Sequence, residues 1–181
     1  ELLAGDPGLA GKVRLLKADV NEFQPGSGVF DVIFMTDIIE HLYPGELAAV
    51  FRKALEALRP GGRLIAHTAP NSRFCRYGWP VVRRIVLLKE RLLGTCNPVP
   101  VVHPSMTGIN EKVHVNLQDP SGLEKELRAA GFAEVAVFFN EDGPLEGRSA
   151  WNGALNRLLH SRPLAGYFNI SIFAAAKKAE K

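Results

Sequence analysis

The chain has 181 residues, 46% of them hydrophobic and 23% charged, an ordinary globular composition with enough length to bury one sizeable core. Its 22 Lys and Arg against 19 Asp and Glu leave a net charge of +3, which argues against the basic footprint of a nucleic-acid binder and against an acidic disordered chain. Cys75 and Cys96 form neither a CxxC nor a zinc spacing, so the chain reads as a cytoplasmic protein rather than a secreted disulfide scaffold. No apolar run approaches the length of a membrane span, and no signal-peptide pattern is present.

In chain order, residues 13–20 are a short apolar-rich run closing on Asp19 and Val20, and a strand is expected there. Residues 24–29 are a turn cluster. Residues 30–36 are almost continuously apolar, which suits a strand of a parallel sheet beneath helices. From Pro44 the period changes, with Leu47, Val50, Phe51, Ala54, Leu55 and Leu58 recurring at three and four as the stripe of a helix. Pro60-Gly61-Gly62 is expected to stop that helix, and Arg63 to Thr68 to form the next strand, which completes a βαβ unit.

The segment 71–115 differs from its surroundings. It holds Trp79, both cysteines, Pro80, Pro98, Pro100 and Pro104. Within it, Val81, Val82, Ile85, Leu88 and Leu92 share a helical stripe, with Arg83, Arg84 and Arg91 off it. The segment reads as an insert or substrate lid, and residues 81–93 also have the make-up for contact with a membrane surface. Residues 120–131 form a helix ending on glycine, 132–139 a strand, 151–160 a helix, and Tyr167 to Ala176 the last strand. Strands alternating with helices predict a single α/β domain over 1–181 with a mostly parallel sheet. Ligands of such sheets bind at the carboxyl ends of the strands, which selects Asp19-Val20, Thr36-Asp37 and Thr68 to Asn71. No set of His, Cys and carboxylate residues has metal-ligand spacing, so no metal is expected.

Phe30-Asp31-Val32-Ile33, then Ile39-Glu40-His41-Leu42, then Leu58-Arg59-Pro60-Gly61-Gly62-Arg63-Leu64 resemble the middle of a class I S-adenosylmethionine-dependent methyltransferase. Lys17-Ala18-Asp19, Ala130-Gly131-Phe132 and the closing strand match the same pattern, and the insert does not. The resemblance implies a Rossmann-like sheet with an antiparallel last strand, and S-adenosylmethionine as cofactor. It implies that Asp19 accepts a hydrogen bond from the adenine amino group and that Val20 reads the ring. The acceptor-only carboxylate suits that donor, although Asp19 would also suit a turn cap. Met35, Thr36 and Asp37 would flank the methionine end, with Asp37 pairing the ammonium or capping the next helix. His41, beside Glu40, would orient a substrate or act as a base, or else brace the strand–helix junction. Asn71, Arg73 and His114 fall on the substrate side, with His67 and His103 as further candidates.

One departure from the family is plain. Its glycine-rich loop after the first strand is absent, and Gly5, Gly8 and Gly11 read instead as the tail of a helix leading into residues 13–20. In the family's sheet the first two strands lie between the third and fourth. Without them the run 13–20 cannot pair with 30–36 in the usual way. It is then displaced, re-paired, supported by a second copy in a homodimer, or joined by upstream residues. Two readings follow: methyl transfer to a small-molecule or lipid-like acceptor, and a non-catalytic methyltransferase-like binding module.

Overall fold

The computed structural model describes residues 12–93, 110–140 and 150–181. Within them, the apolar run Phe30–Thr36 forms strand β1 with the bounds its pattern predicts. A 3-10 turn at Ile39–His41 leads to helix α1 (Pro44–Ala57), whose first turn is closed by Glu46 accepting the Tyr43 N–H at 2.8 Å. Strand β2 (Leu58–Thr68) follows, then a π-helical turn at Phe74–Gly78 and helix α2 (Trp79–Leu93). The remaining elements are α3 (Asn110–Val113), α4 (Pro120–Ala130), β3 (Glu134–Phe138), α5 (Ala150–Leu159), α6 (Ala165–Phe168) and β4 (Ile172–Lys177). Asp119 caps α4 by accepting from Ser121 and Gly122 N–H, and Gly131 ends it at φ 108, where a side chain would be strained.

The strands pair in the order β1-β2-β4-β3. β1 and β2 are parallel, and β4 runs antiparallel to both β2 and β3, so three strands share one direction and the last opposes them. The register lines up Ile33, Leu64, Ala176 and Val135 in one row and Met35, Ala66, Ala174 and Val137 in the next. Both rows face α1 and α4, packing with Leu47, Val50, Phe51, Leu123 and Leu127 in the main core. The opposite face carries Thr36, His67, Phe173 and Phe138 across the sheet, with ring centroids 4.6 Å apart for His67–Phe173 and 5.7 Å for Phe138–Phe173. A second cluster joins Phe74, Val82 and Leu159 to Trp79, Ile85, Val86, Leu155 and Phe168.

Four sequence expectations need correction. Residues 13–20 are not a strand. Val13, Leu15 and Leu16 are exposed, because an apolar run holds strand geometry only where a neighbour takes its backbone groups. Pro60-Gly61-Gly62 does not stop α1, which ends at Ala57, but lies in the irregular start of β2. There the register slips between Phe30 and Val32, and a Cβ on Gly62 would meet Asp31 O at 3.1 Å. The last strand begins at Ile172 rather than Tyr167, since residues 165–168 coil into a turn that Asn71 holds by its carbonyls. On α2, Val82 is buried but Val81, Leu88 and Leu92 are exposed. The packed face runs through Val82, Ile85 and Val86, so of the predicted stripe only Val82 and Ile85 lie on it. No helix among the described residues is long and apolar enough to cross a membrane. Cys96 and His103 lie outside the described residues.

Cys75 sits in the π-helical turn as a buried thiol, and burial pushes its pKa up to about 11 from an ordinary 9.0, partly offset by a backbone hydrogen bond. The folded thiol keeps its proton to higher pH than the unfolded one. This group therefore favours folding fully below pH 9, and the contribution fades as pH climbs towards 11. We expect the melting temperature of the wild type, relative to Cys75→Ala, to fall between pH 8 and pH 10.5. A constant difference in paired thermal melts would refute this.

Candidate functional site

The polar chemistry of the molecule gathers at the carboxyl ends of β1 and β2. Asp37 leaves β1 at φ 53, a left-handed conformation uncommon for a residue with a side chain. Its N–H donates to His67 O at 3.2 Å and its carboxylate meets His67 Nδ1 at 2.8 Å, which ties the exit of one strand to its neighbour. Strain held in this way at a strand end is a common mark of a ligand site. Asp37 does not cap the 3-10 turn, whose N-cap Ile38 has no side-chain bond. Its own side chain stays 63% exposed.

Three residues further on, Glu40 is 2% exposed, and its Oε2 accepts from Thr68 Oγ1 at 2.6 Å. The chain after α3 crosses these strand ends. Asn116 N–H donates to Glu40 O at 3.1 Å, and Ser72 N–H to Gln118 O at 2.8 Å. That crossing carries His41 Nδ1 to within 3.0 Å of Val113 O and brings the rings of His41 and His114 to 4.9 Å, tilted by 57°. One ligand-type atom from each of Glu40, His41 and His114 lies within 4.8 Å of the others.

Residues 6–137 match the family model described as a methyltransferase domain. The chain belongs to this methyltransferase family. Its fold is also that of solved relatives. It superposes with a TM-score of 0.56 on a possible exported protein from Bordetella parapertussis (15% identity, 98% of this chain and 48% of that one). A SAM-dependent methyltransferase from Archaeoglobus fulgidus gives 0.55 (15% identity, 96% and 73%). A SAM-dependent methyltransferase described as a possible histamine N-methyltransferase from Thermotoga maritima gives 0.51 (16% identity, 94% and 68%). The chain thus spans about half the length of the Bordetella protein. No curated protein sequence matches it.

On this methyltransferase framework the expected site residues separate into three groups. Val20, Met35 and Thr36 line a pocket of about 430 Å³ along β1 and α1, and Asp19 and Asp37 are not in its wall. The wall carries a single charged residue, Lys53, so the pocket is a mainly apolar space beside the strand. The Asp19 carboxylate accepts Asn21 N–H at 2.7 Å, and Asp19 O accepts from Glu22 and Phe23, which is the turn-cap arrangement.

Asn71 and Arg73 are engaged structurally. Asn71 is fully buried, donates from Nδ2 to Gly166 O and Asn169 O, and accepts Arg73 N–H at Oδ1. The Arg73 guanidinium pairs with Asp119 at 3.0 Å, donates to Ser121 Oγ and lies over the Tyr167 ring. His41, His114 and His67 do reach the strand-end cluster. The Glu40–His41–His114 grouping was hidden from sequence spacing because the third member arrives from far along the chain. A pair of adjacent polar residues after a strand gives no hint of which later histidine will meet it.

Proposed function

We propose that the protein is an S-adenosylmethionine-dependent methyltransferase acting on a small molecule with an apolar or lipid-like part, held beneath the 71–115 segment. The observation that carries this reading is the strained Asp37 at the carboxyl end of β1, in a chain of methyltransferase family. Bound there, S-adenosylmethionine supplies a methyl group on a positively charged sulfur. The residues fit its methionine end. Asp37 has one oxygen on His67 and a largely exposed side chain that leaves the other for an ammonium. Asp19 fits the adenine amino group in chemistry, since a carboxylate has acceptor capacity beyond the single Asn21 bond. Methyl transfer to a good nucleophile rests mainly on alignment, so the cluster's task is to hold and orient. The exposed apolar residues Val81, Leu88 and Leu92 of α2 support an acceptor with an apolar part. The small net charge speaks against nucleic acid.

Calorimetry of the full-length protein with S-adenosylmethionine tests the reading. One saturable site per chain is expected, weakened about 10- to 100-fold by Asp37→Asn, as for loss of a charge-assisted hydrogen bond. No saturable heat in the wild type, or an unchanged affinity in a folded Asp37→Asn, would favour a non-catalytic methyltransferase-like module. The turn-cap engagement of Asp19 supports that second reading.

A further inference from the structure

We propose that Glu40, His41 and His114 bind a divalent first-row transition-metal ion at the carboxyl ends of β1 and β2. Two imidazoles and one carboxylate are the donor set of open three-ligand sites, in which a water or a substrate oxygen completes the coordination. The candidate ligand atoms are all within 4.8 Å of one another. A tetrahedral ion with bonds of about 2.1 Å places its ligands about 3.4 Å apart, so rotations moving each ligand by about 0.7 Å close the set.

Three features make this more than a chance grouping. His41 Nδ1 faces a carbonyl, Val113 O, so Nδ1 carries the proton and Nε2 keeps its lone pair. A backbone carbonyl behind the far nitrogen is the usual support of a metal-bound histidine. Glu40 is buried with Thr68 Oγ1 fixed on Oε2, which orients the carboxylate and leaves Oε1 for an ion. His114 Nδ1 is sealed from solvent with no hydrogen-bond partner, as is Asn116 Nδ2 close by in the chain. A buried polar atom of this kind calls for a ligand, and an ion meets the need of the imidazole nitrogen. Packing of two tilted rings accounts for the 4.9 Å His41–His114 approach, but not for a buried carboxylate beside them or an unpartnered nitrogen.

The inference stands apart from methyl transfer, because metal binding is read in the absence of S-adenosylmethionine. Tag-free full-length protein, stripped with a chelator, is titrated with Zn²⁺ and Mg²⁺ by calorimetry and with Co²⁺ by visible absorption. The expected result is one Zn²⁺ or Co²⁺ per chain, bound at least 100-fold more tightly than Mg²⁺, because imidazole donors favour the borderline ions. Glu40→Gln, His41→Ala and His114→Ala should each weaken binding at least tenfold, while His67→Ala, an imidazole at the same end of the sheet, leaves it unchanged. Melting temperatures confirm that the variants are folded, and His114→Asn serves where the alanine variant is not. Absence of saturable Zn²⁺ binding, or Zn²⁺ binding that survives in folded His114→Asn, overturns the proposal. So does an equal loss in His67→Ala.

Discussion

Asn71→Leu will lower the unfolding temperature by about 10 °C. Leucine nearly preserves the volume but removes the three side-chain hydrogen bonds of a residue with no exposed surface. It also strands the carbonyls of Gly166 and Asn169 and the Arg73 N–H, which solvent does not reach easily. At about 1 kcal/mol per net bond, with a further penalty for stranded partners, the cost is about 3–5 kcal/mol. A chain of this length loses about 2–4 °C for each kcal/mol. Calorimetric melts of the two proteins decide the matter. A variant that melts with the wild type but binds an acceptor poorly would return Asn71 to the substrate role that its place after β2 suggested.

Phe51→Ala should produce a loss of similar size by a different route. Phe51 is fully buried on α1, in the core between that helix, α4 and the sheet. Truncation removes the transfer energy of the ring and leaves a cavity that strands and helices cannot collapse to fill, at a cost of about 3–5 kcal/mol. By contrast, the Arg59–Asp31 pair near the start of β2, in which Nη1 alone reaches both carboxylate oxygens, is 55% and 76% exposed, and Arg59→Ala should cost less than about 1 kcal/mol. Urea unfolding of both variants checks the ranking. A Phe51→Ala midpoint as mild as that of Arg59→Ala would mean that α1 is not anchored on this core.

Much of the fold was legible because its elements obey simple periodicities. The apolar run of β1, the three-and-four stripe of α1 and the proline-to-glycine frame of α4 each carry local information sufficient to place them. Residues 13–20 failed on a non-local condition, since Leu15 and Leu16 look like strand residues whether or not a neighbour is present. The start of β4 failed for the same kind of reason. Nothing in Tyr167 or Phe168 tells of Asn71 drawing the Gly166 and Asn169 carbonyls to itself. At the site, the Glu-His pair after β1 was visible as chemistry. Its meeting with His114 depends on how the chain after α3 crosses the strand ends, a tertiary matter that spacing does not encode.

The placement of β4 bears on how the molecule comes into being. This strand follows every other described element in the chain, yet it lies between β2 and β3 and is the sole bridge joining them. While the polypeptide emerges from the ribosome, β1, α1 and β2 are free to assemble as a local unit, but β3 has no sheet partner among the described residues until residues 172–177 leave the exit tunnel. The small core-facing residues they bring, Ala174 and Ala176, are then slotted into a gap already framed on both sides. A nascent chain stalled before that point leaves the facing edges of β2 and β3 without β4, the species that chaperones would be expected to retain.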